Sequence, residues 1–279
     1  TILGKKYIIG PGGKGSNQAV AAANAGAKTY FISKIGDDQF GAMAQSIYDD
    51  AGVDYSKVII SKEHDTGAAG ILISKEGQNA INVVPGAAAA LTIEDINNAS
   101  DVITQSSIFL TQLEAPKDIV LYALKLAKDN NVTTIFNPAP ALAIDKDIFS
   151  LIDYFTPNET EASFYVYHKV ESKQDAKNAA TQLLDKGIGN VIITLGHKGV
   201  FFANTKESYH IDAFDLGNKV IDTTGAGDGF VAGFAVALSE GKTPAEAIKF
   251  ANALAGLSTT KVGTAQSMPT RTEIDKLIG

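Results

Sequence analysis

VIDTTGAGDGFVAGFAVAL, residues 220–238, sets an apolar pair, Val220 and Ile221, ahead of a run of small residues that opens a long apolar helix pattern. Gly225, Ala226 and Gly227 let a ligand come close to the backbone. The helix behind them offers unpaired N–H groups and the positive end of its dipole, which together make an anion site. The run is not a Walker A loop, which closes on Lys-Ser or Lys-Thr, and it lacks the third spaced glycine of a dinucleotide fingerprint. Asp228 is the odd element. A carboxylate beside a phosphate site is repelled unless its charge has a task, and accepting a proton from an attacking hydroxyl is such a task. An aspartate in a first helical turn also complements the helix dipole, and the local chemistry leaves both readings open.

Working outward, short β-rich runs alternate with helical patterns. Strands are expected at 28–36, 106–114, 132–137, 153–158 and 189–196, with helices near 38–52, 117–130, 172–187, 226–240, 244–258 and 270–278. This rhythm predicts an α/β fold, a mainly parallel central sheet covered by helices on both faces. Two segments break it: 1–10 is strand-like with no helix before it, and 66–84 reads as a hairpin turning at KEGQ. They are expected to form a small antiparallel β lid on a main domain of 11–65 and 85–279; the alternative is an ordinary edge hairpin on the main sheet.

Composition narrows the function classes. The 279 residues carry 24 Lys and Arg against 31 Asp and Glu, a net charge of −7, with no basic run, which argues against a nucleic-acid partner. No apolar run is long enough for a transmembrane helix, and no signal-peptide layout opens the sequence. The absence of cysteine removes disulfides and thiolate chemistry and is compatible with a cytoplasmic location. The four histidines, His64, His168, His197 and His210, lack metal-ligand spacing.

A second glycine cluster, GPGGKGSNQA (10–19), also precedes a helical pattern and by composition looks like a phosphate loop. DTTGAGDGF (222–230) resembles the C-terminal signature of the ribokinase-like (phosphofructokinase-B) sugar kinases, and GGKGSNQAVAAANAGA (12–27) is similar to their N-terminal one. QLEAP (112–116), NPAPA (137–141), TPNETEA (156–162) and TLGHKG (194–199) stand between them in family order. The resemblance covers nearly the whole chain.

It implies an ATP-dependent kinase acting on the primary O5 hydroxyl of a pentose, D-ribose, with Mg²⁺ and a K⁺ activator. Asp228 then matches the general base, and the amides of Gly225, Ala226 and Gly227 match the anion hole. Gly13, Lys14, Gly15, Ser16, Asn17 and Glu114 match sugar-site positions, so Lys14 is not assigned to ATP. Asn158 and Glu161 match a motif that supports Mg²⁺–phosphate geometry through water, although Asn158 to Glu161 also reads as a plain helix start. Thr194, Leu195, Gly196, His197, Lys198 and Gly199 match a nucleotide-binding stretch, and Asn252 an adenine-pocket position. Asp222, Thr224, Ser258, Lys261, Gly263 and Ser267 match the monovalent-cation site, most of them through backbone carbonyls.

The sequence departs from the family at its start. The family opens with a strand whose Asn-x-Asp element grips sugar hydroxyls, whereas only eleven residues precede Gly12 here. The expectation is a sequence cut short rather than a true deletion. A second departure is EASFYVYHKV (161–170), where the family has a Leu-Thr-Gly turn. Deoxyribose, another sugar or a nucleoside are alternative acceptors, and a non-catalytic sugar- or nucleotide-binding protein is the alternative from another class. Pairing through the lid sheets would make a homodimer.

Overall fold

The computed structural model describes residues 4, 7–73 and 79–279. The chain enters helix α1 (Lys14–Asn24) and then forms β1 (Tyr30–Gly36), α2 (Gln39–Ala51) and β2 (Asp54–Ser61). β1 and β2 are a parallel pair, with Lys34 opposite Ile59, joined by the crossover helix that such a pair requires. Strands β3 (Ala68–Ile73) and β4 (Asn79–Val84) form a separate antiparallel hairpin. Short helices α3 (Ile93–Asn97) and α4 (Ser100–Gln105) lead back to the main body.

There the elements run β5 (Ile108–Thr111), α5 (Lys117–Asp129), β6 (Thr133–Phe136), β7 (Tyr154–Phe155), α6 (Glu159–Val166), α7 (Lys173–Leu184), β8 (Asn190–Thr194), β9 (Val200–Asn204) and β10 (Ser208–Ile211). They build one six-stranded sheet in the order β10-β9-β8-β7-β6-β5. β5 to β8 are parallel, and β9 and β10 return antiparallel at one edge. Helices α8 (Ala226–Ser239), α9 (Pro244–Ser258) and α10 (Arg271–Ile278) complete the chain.

The sheet is buried on both faces, and its strands show it residue by residue. Ile135, Ile192 and Phe202 point to the layer of α1, α8 and α9, while Phe136, Val191, Ile193 and Phe201 point to α6 and α7. Side chains alternate because successive residues of a strand face opposite ways. In α8 every residue from Asp228 to Ala237 is buried, and α9 packs closely on it because Gly229 and Gly233 leave room for Leu254 and Ala251.

The root of the hairpin is tightly built. Asp38 caps α2 through Oδ1, which accepts the Gly41 N–H at 2.8 Å, and its Oδ2 accepts the Thr66 N–H at 2.7 Å. Beside it the two hairpin legs cross backbone against backbone: a Cβ on Gly86 would sit 2.4 Å from the Gly67 nitrogen. Only glycine permits that approach, and Gly86 also needs its φ of 58°.

The α/β architecture and the 66–84 hairpin agree with the sequence reading, and several details do not. Residues 7–10, expected as strand, carry no regular secondary structure, and the KEGQ turn (75–78) and most of 1–6 lie outside the described residues. The 153–158 strand shrinks to Tyr154–Phe155, because Pro157 has no N–H to extend the ladder. β2, β9 and β10 were not anticipated, and β1 pairs with β2 rather than with the six-stranded sheet.

Candidate active site

Of the predicted site residues, Glu114, Asn158 and Thr194 lie at or just past the C-terminal ends of the parallel strands, where open α/β sheets bind ligands. β5 leads to Gln112 and Glu114, β6 to Asn137, β7 to Asn158, and β8 ends at Thr194. Backbone bonds beyond the strands hold these ends in place: Leu113 N–H to the Ala139 carbonyl at 3.0 Å, Asn137 N–H to Thr111 at 2.9 Å, and Thr194 N–H to Pro157 at 3.0 Å.

Asp228 is 7% exposed, at the start of α8. Its Oδ2 accepts from the Asn17 side-chain amide at 2.7 Å and its Oδ1 from that of Gln18 at 3.3 Å, both from α1. Burial pushes its pKa up to about 6; the charge of Lys14 and the Asn17 and Gln18 amides oppose that rise, and Glu114 adds to it. Gly225, with φ of 80°, caps the helix. The Ala226 N–H turns back onto the Thr223 carbonyl at 3.2 Å, so it is occupied. The N–H groups of Gly225 and Gly227 take no acceptor among the described residues, which leaves two donors beside the carboxylate.

The first glycine loop faces the same place. Gly13 adopts φ of 90° and its carbonyl starts α1 by accepting the Asn17 N–H at 2.8 Å. The Lys14 backbone N–H donates to Glu114 Oε2 at 2.7 Å, tying the loop to the end of β5. A Cβ on Gly15 would press on Phe31 at 3.1 Å. Ser16 and Asn17 are buried, and Asn17 Oδ1 has no hydrogen-bond partner among the described residues. A buried acceptor left open beside Asp228 is a place for a ligand hydroxyl.

Asn158 and Glu161 form a reciprocal cap on α6: the Glu161 N–H donates to Asn158 Oδ1 at 2.8 Å, and the Asn158 N–H to Glu161 Oε2 at 2.9 Å. The helix-start reading of this motif is thus realised. Glu161 is nevertheless buried, and that burial raises its pKa against the Asn158 bond and the charge of Lys14. Its Oε1 takes no hydrogen bond among the described residues.

The turn after β8 exposes Gly196, His197 and Lys198, while Leu195 is buried in the core and presents no side chain outward. The Lys198 ammonium donates to the Glu171 carbonyl at 2.9 Å. Asn252, on α9, is buried with its amide on the Asp212 carbonyl at 3.1 Å. In the loop before α8, Asp222 draws two segments together: Oδ1 accepts from the Thr224 N–H and hydroxyl at 3.0 and 2.6 Å, and Oδ2 from the Gly263 N–H at 3.0 Å. Burial raises its pKa, but these bonds outweigh it and hold the carboxyl below the ordinary range. Ser258 and Ser267 are buried with hydroxyls on local carbonyls, whereas the Lys261 ammonium swings out to Glu273 at 2.9 Å. No described cluster of His, Cys, Asp and Glu could hold a divalent ion by side chains alone.

Three residues of the site were not singled out from sequence: Gln18, Gln112 and Asn137. Each sat inside a quoted motif, and the available signal was a polar residue in an otherwise apolar first helical turn or just past a strand end.

The whole chain has relatives. The pfkB family carbohydrate kinase pattern matches residues 1–271. A ribokinase of Haemophilus influenzae is 43% identical over 273 residues, 98% of this chain and 89% of that protein. The crystal structure of a Thermotoga maritima ribokinase shares 38% identity at a TM-score of 0.89, covering 100% of this chain and 91% of that one. An Arabidopsis thaliana ribokinase structure, complexed with ribose and ATP, superposes at a TM-score of 0.92 with 31% identity, covering 100% and 90%. No described helix is long and apolar enough to cross a membrane. With the strand-end site, the buried carboxylate at the glycine turn and matches along its full length, the chain belongs to the pfkB family of carbohydrate kinases.

Proposed function

We propose that this enzyme transfers the γ-phosphoryl group of ATP to the O5 hydroxyl of D-ribose. The observation that carries this reading is the buried Asp228 carboxylate placed beside the unoccupied N–H groups of Gly225 and Gly227 at the start of α8. The relatives named ribokinase, and the ribose and ATP bound by the Arabidopsis structure, support the choice of substrates.

In this reading the sugar lies against residues 13–17 and Glu114, with Asn17 Oδ1 accepting a hydrogen bond from one of its hydroxyls. Asp228 accepts the proton of the attacking hydroxyl, and its raised pKa makes it a better base than a solvated carboxylate while leaving it ionised at neutral pH. The Gly225 and Gly227 amides stabilise charge on the transferring group, so preorganised donors do most of the work. The nucleotide occupies the 194–199 turn and the vicinity of Asn252. The β3–β4 hairpin closes over the sugar as a lid and excludes water as a competing acceptor. Its exposed Leu72 and Val84, which share one face, suit pairing with a second copy.

The residues present fit the two cations. Glu161 Oε1 is an open carboxylate oxygen for a hydrated Mg²⁺, which keeps several waters and neutralises phosphate charge when bound with nucleotide. Asp222 with the hydroxyls and carbonyls of 224, 258, 263 and 267 is an all-oxygen donor set, which suits K⁺. Assay of a panel of acceptors with Mg-ATP and K⁺ tests the proposal. Ribose should give the highest kcat/KM; a higher value for deoxyribose or a nucleoside would replace it as substrate.

A further inference from the structure

Beneath Asp228 three side-chain amides form an unbroken chain. The Asn137 Nδ2 donates to the Thr156 main-chain carbonyl at 3.0 Å. A carbonyl has no proton, so this contact decides which way the Asn137 amide faces. Its oxygen is turned to Gln18, whose Nε2 donates to it at 3.1 Å and also to Asp228 Oδ1 at 3.3 Å. Gln18 Oε1 is left on the opposite side, where it accepts from Gln112 Nε2. Reversing any member would set donor against donor or acceptor against acceptor. Gln18, Asn137 and Asp228 are only 2%, 7% and 7% exposed, so a mismatch among them is costly.

We propose that Gln18 is a positioning residue for the phosphoryl transfer, and that the Thr156 carbonyl, acting through Asn137, obliges it to present a donor and never an acceptor to Asp228 Oδ1. Together with Asn17 on Oδ2, this fixes the carboxylate from both sides and favours its ionised form. The inference rests on the reading of Asp228 as the base. Both Gln18 Nε2 protons are engaged within the protein, and its Oε1 accepts from Gln112. The other charged groups that act on Asp228 are Lys14 from α1, Glu114 from the end of β5 and Glu161 from α6.

The test is the titration of Asp228 itself, followed by ¹³C carboxyl NMR in the full chain without substrates, beside the pH profile of turnover. Gln18→Met should move the Asp228 midpoint and the acidic limb of kcat upward by about 1 unit. Turnover near pH 6.5 should then drop about threefold and recover in large part by about pH 8.5, with the KM for ribose unchanged. Asn137→Leu frees Gln18 to reverse when Asp228 takes a proton, so the neutral carboxyl is no longer penalised and the midpoint should rise again. Loss of the Asn137 dipole acting directly would do this too, and the double variant separates the two: a relayed effect vanishes in the Gln18→Met background, a direct one persists. Persistence would overturn the chain, as would an unshifted midpoint in Gln18→Met. A readout on the unaltered protein covers the case in which a variant does not fold: the Gln18 side-chain NH₂ resonances should titrate with Asp228, and flat resonances would sink the proposal. The base reading fails separately, if Asp228→Asn retains turnover.

Discussion

Asn17 Nδ2 lies 2.7 Å from Asp228 Oδ2, a contact between residues 211 positions apart that locks the first glycine loop to the second. The loop that by composition looks like a phosphate site thus contacts the carboxylate, and in the proposed reading phosphate chemistry stays with the downstream turn. Asp228→Asn should lower kcat by at least about 10³-fold, while nucleotide affinity measured by calorimetry stays within about threefold. A variant with near-normal kcat would remove Asp228 from the reaction.

The pH dependence follows from the same group. With the Asp228 pKa at about 6, kcat/KM should fall as the pH drops below that value and the base takes its proton. Stability runs the other way. The folded chain holds this proton more tightly than the unfolded one, so the ionised carboxylate is destabilising above about pH 6 and progressively less so toward pH 4. Two pK units correspond to up to about 3 kcal/mol. Between pH 4.5 and pH 8 the native protein should thus lose Tm more steeply than Asp228→Asn, whose amide does not titrate, in thermal melts.

Glu161 caps α6 and, in the proposed reading, also serves Mg²⁺, and substitution separates the two. Glu161→Gln keeps an acceptor for the Asn158 N–H, so Tm should hold while the Mg²⁺ concentration needed for half-maximal activity rises severalfold. Glu161→Ala should show the same Mg²⁺ effect and also lose about 1 kcal/mol in denaturant unfolding. An unchanged Mg²⁺ requirement in both would leave only the cap.

Asp38→Ala removes the acceptor of both the α2 cap and the Thr66 N–H. The expected cost is about 1–2 kcal/mol in urea unfolding. Hydrogen exchange should rise at Thr66 and Gly41 in particular. The backbone bonds of Thr66 and Gly41 hold its carboxyl below the ordinary range, so this contribution is present at neutral pH and fades as acid protonates the group.

Tyr167 ends α6 in the left-handed region, at φ of 58°, and is 90% exposed. A tyrosine there is strained and glycine is not. Tyr167→Gly should add about 1 kcal/mol and raise Tm by about 2 °C, with activity unchanged. A fall in Tm would show that the aromatic ring packs more than its exposure suggests.

The βα rhythm, the hairpin and the clustering of motifs at strand ends were legible in the sequence because burial on two faces and turn chemistry leave local traces. β9 and β10 were missed because VFFAN follows TLGHKG too closely to look like anything but the tail of a nucleotide loop. The occupied amide of Ala226 could not be read either, since its partner depends on the φ of Gly225. The roles of Gln18, Gln112 and Asn137 emerge only when three separate elements are brought together, and no spacing within one segment records them.

The orientation of the amide chain begins at a main-chain atom. Thr156 keeps its carbonyl whatever side chain replaces the threonine, so no codon change at that position can delete the instruction. What genetic variation could disturb is the seating of the two-residue strand before it, held between Phe136 and Val191. The surroundings of Asp228 thus depend on how β7 is anchored in the sheet, a property distributed over its apolar neighbours.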